Sequence, residues 1–310
     1  MNAPQLPPEN IYGHTAKLCF FLGVLDRIRR DRKRGLCILD LGCGNGWAVT
    51  RHLGNSGNEV LGIDLHQPCI DYAQNNFGHN ALEFRCLSTE SLQETSTHWD
   101  VIVLADVLEH LEDPSAVLRT CKSLLADDGR LLVSVPNGYG PFEIESALAR
   151  VPLLGTGLLK LTSMTISVMN KFVFKGLWSR AMEVLPADIP YNHDSLHVQF
   201  RSERSWVSLF ETSGFQVHSK QNLTFVSGPF SNTILRASSK FVAVNVWAAY
   251  RMPSVFASNW AFELSACPSI RAAESAAGEQ LSEGNEIKIS LARIIHESQT
   301  RPWDSLPNVL

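Results

Sequence analysis

The apolar positions of this chain fall into short blocks separated by glycine, proline and acidic turns. One such block is Cys37-Ile38-Leu39-Asp40-Leu41, and Gly42-Cys43-Gly44-Asn45-Gly46 follows it directly. Apolar runs this short, bounded by glycine, predict buried strands. Residues 47–53 then have helical character. Upstream, Leu18, Phe21, Leu22, Leu25 and Ile28 recur at helical spacing and predict a helix over 10–34. Downstream, residues 59–64, 82–87 and 101–105 predict a second, third and fourth strand. Pro114 suits the first turn of a helix that runs to about residue 126. Asp127-Asp128-Gly129 predicts a turn into a fifth strand at 130–135, closed by Pro136-Asn137-Gly138. A helix over 202–213 has Ser202 or Ser205 as its cap. A sixth strand opens at 214–217, a further helix covers 234–250, and alternating Trp260, Phe262 and Leu264 predict a strand at 257–266. Strands interleaved with helices make this an α/β chain.

Two stretches stand apart from that alternation. Residues 138–195 exceed any ordinary connection and are apolar, which predicts a helical cap over the site. Within them, 151–178 carries Lys160, Lys171 and Lys175. A membrane span wants about 20 mostly apolar residues, so spanning is not expected. An amphipathic lid and a helix lying on a membrane surface both fit the pattern. Residues 268–310 hold one weak helical segment, at 286–297, and are expected to dock weakly.

The glycine stretch is the first candidate for chemistry. Strand, tight loop and helix bring backbone and a helix end against a ligand. Glycine allows the positive φ and the close approach that such a loop needs. The spacing is Asp-x-Gly-x-Gly-x-Gly, and position 47 is Trp, so it is not the Gly-x-Gly-x-x-Gly of dinucleotide sites. Asp40, two residues before the first glycine, suits a cationic ligand better than a pyrophosphate. Asp64 ends the second strand 18 residues after Gly46. An acid there is placed to accept ribose hydroxyls. The alternative is an N-cap for the helix that begins near Pro68.

Composition narrows the classes. The 310 residues allow one large α/β domain with insertions, and the net charge of −4 gives no global case for nucleic acid. The basic run Arg27, Arg29, Arg30, Arg32, Lys33 and Arg34 reads first as a solvated helix end, with an anionic surface as the alternative. Seven cysteines at 19, 37, 43, 69, 86, 121 and 267 form no Cys-x-x-Cys pair, which disfavours zinc and disulfide frameworks. Reduced thiols and an N-terminus without an apolar signal core lead to a cytoplasmic expectation.

The ordered set over 37–136 resembles the class I S-adenosylmethionine (SAM) methyltransferases, with weaker similarity to about residue 220. Val107-Leu108-Glu109-His110-Leu111, then Asp113-Pro114, and later Gly129-Arg130-Leu131-Leu132-Val133-Ser134-Val135-Pro136-Asn137, is similar to the small-molecule O-methyltransferase branch. The ubiquinone-biosynthesis O-methyltransferases are the best-known relatives of that pattern. The resemblance implies a Rossmann-like, seven-stranded, mostly parallel sheet with helices on both faces, an antiparallel last strand and a helical cap insertion. It divides the chain into an N-terminal helix (1–35), a SAM-binding core (36–137), the cap (138–200), the C-terminal part of the fold (201–266) and a tail (267–310). The implied cofactor residues are Asp40, Gly42, Cys43, Gly44, Gly46, Asp64, Leu65, Ser88, Thr89, Ala105 and Asp106. Asp40 would bond the ammonium of SAM, the glycine backbone and a nearby helix end would hold its amino-acid part, Asp64 would take the ribose and the 88–90 loop would flank the adenine. Where relatives carry an acid for the adenine, this chain has Ser88.

Asp106 and Glu109 lie three apart, so side chains on one helical turn share a face, and His110 follows. Carboxylate and imidazole donors suit Mg²⁺, Mn²⁺ or Zn²⁺. In the resembled branch, and in small-RNA 2′-O-methyltransferases, Glu-x-x-Glu-His plus a later His holds a divalent metal. Here that implies Asp106, Glu109, His110 and His197, with His193 as substitute. Three readings stand. A metal lowers the pKa of the acceptor hydroxyl; or Glu109, His110 and His197 form a metal-free pocket with a base; or they are structural. The expected activity is methyl transfer to a small-molecule hydroxyl, the acceptor aromatic or lipid-like, with no nucleic-acid partner. The alternatives are an RNA-modifying methyltransferase and a non-catalytic SAM-binding module. The glycine spacing disfavours a nicotinamide dehydrogenase.

Overall fold

The computed structural model describes residues 11–54, 57–92, 98–151, 189–192, 196–235 and 239–267, with 155, 157, 158, 160, 161 and 164. Residues 1–266 form one compact unit; of the second, Cys267–Leu310, only Cys267 is among the described residues. His193, most of the predicted cap and the tail helix therefore lie outside the described residues.

Seven strands form one sheet in the order β3-β2-β1-β4-β5-β7-β6. They are β1 (Cys37–Leu41), β2 (Glu59–Asp64), β3 (Leu82–Cys86), β4 (Trp99–Ala105), β5 (Leu125–Pro136), β6 (Phe215–Thr224) and β7 (Asn259–Ala266). The first five pair in parallel, and β7 runs antiparallel to both β5 and β6. Chain order reverses beside β1, between β2 and β4, and ligands of open α/β sheets bind at such a point, beyond the carboxyl ends of the strands.

Alternation along the strands sorts the core into two layers. Leu39, Leu41, Ile102, Leu104, Leu131 and Val133 pack on one face with Trp206 and Phe210 of α6 (Glu203–Thr212) and with α4 (Pro114–Leu124). Ile38, Val60, Val101, Val103 and Leu132 pack on the other with α1 (Ile11–Arg32), α2 (Thr50–Leu53) and α3 (Gln67–Phe77). Side chains two apart share a face, so Asp40 points with Ile38 toward α1 and α2.

Several boundaries differ from expectation. The fifth strand begins at Leu125, because Trp99 already pairs with it; the register shifts before Val101 meets Arg130, and Asp127–Gly129 stay in the strand. The helix expected over 234–250 is two: α7 (Pro229–Leu235), entered through Gly228-Pro229, and α8 (Ser239–Arg251). Ser202, not Ser205, caps α6 and accepts from the Ser205 N–H. The basic end of α1 is not simply a solvated turn. Arg32 and Arg34 converge on buried Asp100 at the start of β4, and Arg27 reaches Glu263 of β7 at 2.5 Å. These arginines pin α1 across the sheet. Of the cap, α5 (Pro141–Arg150) is described in full.

Candidate functional site

The glycine loop is tied inward. The N–H groups of Gly42 and Cys43 both donate to the Ile63 carbonyl, at 2.8 and 3.0 Å, and Gly46 N–H donates to the Cys43 carbonyl. Gly44 N–H donates to Asp64 Oδ2 at 2.9 Å. None of these four donors is left to cradle a phosphate, which is the physical reason the loop is not a pyrophosphate site. At Gly42 (φ +73°) an added Cβ would stand 2.6 Å from Val107 Cγ2, so glycine is required there. At Gly44 (φ +53°) a Cβ would meet nothing within 4 Å, so the backbone borders open space.

The carboxyl ends of β1 and β2 bring Asp40, the loop and Asp64 together. Asp40 is 1% exposed. Its Oδ2 accepts from Thr50 Oγ1 at 2.7 Å, and its Oδ1 is buried with no partner. Burial pushes its pKa up to about 7, against the Thr50 hydrogen bond and the charge of Lys17. Asp64 does not cap α3: His66 occupies the cap position with no side-chain cap bond, and Asp64 Oδ1 accepts from its N–H at 2.9 Å. Leu65 beside it is 74% exposed. Ser88 and Thr89 are half-buried just beyond β3, and Ser88 Oγ faces Ser91 Oγ at 3.2 Å. Pro190 lies across this end, its carbonyl accepting from Asn45 Nδ2 and Cys69 Sγ.

Asp106 turns the chain at the end of β4 with φ +57°. That left-handed conformation is uncommon outside glycine, though Asp tolerates it better than most residues. The turn sends Asp106 and Glu109 different ways. Asp106 Oδ2 accepts from Lys17 Nζ at 2.5 Å and Oδ1 from Ser134 Oγ at 2.6 Å. Burial alone would raise its pKa; Lys17 and His14 outweigh it and hold the carboxyl well below the usual carboxylate range. Asp106 therefore does not join the expected four-ligand set, because both its oxygens are engaged elsewhere.

The other three expected residues do converge. One carboxylate oxygen of Glu109 and one ring nitrogen each of His110 and His197 lie within 4.8 Å of one another. The His110 and His197 rings meet edge to face, 4.8 Å between centroids. The Glu109 carbonyl accepts from the N–H groups of Val198 and Gln199, which zips the 196–200 segment onto the loop. His110 Nδ1 donates to the Leu196 carbonyl at 3.1 Å, and His197 Nδ1 bonds Glu143 Oε1 of α5 at 2.7 Å. Each ring thus has Nε2 left for chemistry. Glu109 is 1% exposed, and its Oε2 has no partner. Burial, then the nearby Asp106 charge, raises its pKa well above the ordinary value. Burial lowers that of His110. The three residues line a cleft of about 390 Å³ together with Asp106, Phe142 of α5 and Asn232 of α7.

A model of the methyltransferase domain matches residues 12–220. The chain belongs to the class I SAM-dependent methyltransferases. Over 106 residues it is 31% identical to the ubiquinone biosynthesis O-methyltransferase of Coxiella burnetii (strain RSA 493 / Nine Mile phase I), covering 34% of this chain and 45% of that protein. Over 108 residues it is 32% identical to the protein of the same name from Neisseria meningitidis serogroup C (strain 053442), with the same coverage of 34% and 45%. The chain spans about half the length of the curated relatives it matches. An S-adenosylmethionine dependent methyltransferase from Mesorhizobium loti is a solved structure similar to it, with 17% identity, TM-score 0.46, and coverage of 74% of this chain and 91% of that one. The sheet order, with an antiparallel β7 inserted between β5 and β6, is that of class I methyltransferases.

Sequence reading missed two residues of the candidate site. Lys17 is 2% exposed and lies between Asp40 and Asp106, acting on both. Its signal was present: Lys17 falls in register with Phe21, Val24 and Ile28, a lone cation on the buried stripe of α1. Glu143, which holds His197, carried no comparable signal.

Proposed function

We propose that this methyltransferase moves the methyl group of SAM to a hydroxyl oxygen of a small molecule bound in the cleft over Glu109, His110 and His197. The convergence of those three residues beside the cofactor end of the sheet carries this reading. The cofactor end suits SAM on three grounds. Asp40 Oδ1 is a buried acceptor awaiting a donor, which an ammonium supplies. Leu65 offers an uncovered apolar side chain next to Asp64, suited to a nucleoside base beside its ribose. Lys17 is a buried cation for the amino-acid carboxylate, a role the internally bonded glycine N–H groups leave open. When bound, SAM supplies the activated methyl group.

The protein aligns the acceptor, excludes water and disposes of a proton. The Leu196 carbonyl fixes the proton of His110 on Nδ1, and its lowered pKa keeps the ring neutral, so Nε2 can accept the hydroxyl proton. The trio also fits a divalent cation: Glu109, His110 and His197 would hold it, and it would lower the pKa of the acceptor hydroxyl. Two features support that fit. Each histidine has its other nitrogen anchored, as metal-binding histidines usually do, and Glu109 has an unpartnered buried oxygen. Phe142 lining the cleft suits an aromatic or lipid-like acceptor. The test is transfer of labelled methyl from SAM to a panel of hydroxylated small molecules, run with purified protein before and after chelation. Label appearing on nitrogen or on RNA, with none on hydroxyl oxygen, would overturn the proposal. Full activity in chelator would remove the cation and leave His110 as the base.

A further inference from the structure

The helices that wall the cleft, α5 and α7, and the neighbouring α8 carry apolar side chains outward. α5 packs against α7, and α7 against α8. On α8, Val244, Trp247 and Tyr250 face solvent, with Trp247 56% exposed, while Asn245 and Ala249 take the inward face. Val255 and Phe256 follow directly and are also exposed, and α5 adds Ile144. A surface helix ordinarily turns its polar stripe outward. Here the polar Asn245 is buried, bonded to the Val226 backbone, and the apolar stripe is left uncovered.

Charge is sorted in the same sense. The only acids on α5, α7 and α8 are Glu143 and Glu145. Both turn inward: Glu143 bonds His197, and Glu145 accepts from the N–H groups of Phe230 and Ser231 at the start of α7. Arg150, Lys160 and Arg251 are exposed. The Arg251 guanidinium stands 4.5 Å over the Trp247 ring. No Asp or Glu occurs between Glu211 and Glu263, whereas Lys220, Arg236, Lys240 and Arg251 do, in a chain whose net charge is −4.

We propose that the outer face of α5, α7 and α8 docks on an anionic lipid surface. Exposed Trp and Tyr beside arginine are the residues that settle at a bilayer interface. An apolar stripe combined with cations and no acids is complementary to anionic headgroups. A second copy of the chain is disfavoured by the same charges: a two-fold contact would set this acid-free face against itself. Docking would bring the cleft beside α5 and α7 to the membrane, so that a lipid-soluble acceptor reaches it without crossing water. That consequence rests on the proposed function; the docking itself does not.

The experiment is co-sedimentation of the full chain with phosphatidylcholine vesicles, with and without phosphatidylglycerol, at low and high salt. Binding to the anionic vesicles alone, weakened by salt, is expected. Arg150→Gln and Arg251→Gln should each weaken it by about five-fold, and Trp247→Glu combined with Phe256→Glu should abolish it. A SAM-induced rise in melting temperature, measured on every variant, shows that the fold and cofactor site survive and separates failure of docking from failure of the methyltransferase reading. Absence of vesicle binding overturns the proposal, as does binding indifferent to the charge variants. A dimer that Trp247→Glu dissociates, in protein that ignores vesicles, overturns it in favour of self-association.

Discussion

Asp40 should reveal its proton as a slope of stability against pH. It is buried, one oxygen is spent on Thr50, and its pKa is pushed up to about 7. An ordinary aspartate titrates near ~3.9. Between those values the cofactor-free folded chain keeps a proton that the unfolded chain has released. The stabilising contribution of protonated Asp40 is therefore complete below about pH 4, declines as the pH rises, and is gone above about pH 7. The slope is ~1.4 kcal/mol per pH unit, which amounts to something on the order of 4 kcal/mol across the window. Asp40→Asn keeps the shape and cannot ionise. Urea denaturation of wild type and variant, without cofactor, from about pH 4.5 to 8, isolates the term, because every other titrating group is common to both. The wild type should lose stability relative to the variant up to about pH 7 and run parallel above it. Parallel curves throughout would show that Asp40 is ionised in the folded chain. If Asp40 holds the SAM ammonium, binding reverses the preference, so SAM affinity of the wild type should climb as the pH rises toward 7, and that of Asp40→Asn should not.

Other expectations follow from the same contacts. If Asp64 takes the ribose, Asp64→Asn should lower SAM affinity by roughly ten-fold or more in calorimetry; Asp64→Ala is a poorer probe, because it frees both the Gly44 and His66 N–H groups, where Asn can keep one. His110→Ala should cut turnover by about 10²–10⁴-fold with SAM affinity nearly intact, and the reverse pattern would move His110 into the cofactor site. Lys17→Met strips a buried counter-ion from Asp106 and Asp40 and should cost about 3–5 kcal/mol in denaturation. Asp106→Asn in that background should recover part of the loss; strict additivity would mean that the two residues do not interact. If a divalent cation binds the trio, Glu109 must give up its proton, so binding should release protons and weaken as the pH falls, with Glu109→Gln lowering the number of protons released in calorimetry.

Much of this molecule is legible from local pattern. Buried parallel strands are largely apolar runs and the edge strand β3 alternates, so β1, β2, β3 and β4 appear in the sequence within a residue or two of their ends. Glycine at 42 is legible for a similar reason, since a positive φ and a tight approach admit little else. The grouping of Glu109, His110 and His197 was suggested by motif, but their union depends on the Val198 and Gln199 N–H groups reaching back to the Glu109 carbonyl. Long-range pairing also decided what the charges do. Whether Asp106 faces the histidines or Lys17 is set by one backbone turn at φ +57° and by a helix 89 residues away in sequence. Asp127 and Asp128 read as a turn and instead fall within β5, in the register shift between the Trp99–Leu125 and Val101–Arg130 pairs, because β5 already meets β4 at Leu125. The arginines of α1 read as a solvated end and instead meet Asp100 and Glu263 across the sheet. Periodicity encodes which face of an element is apolar. Which charge meets which, and which apolar stripe of α8 stays uncovered, emerges only when elements distant in sequence pack together, because those energies belong to pairs of residues.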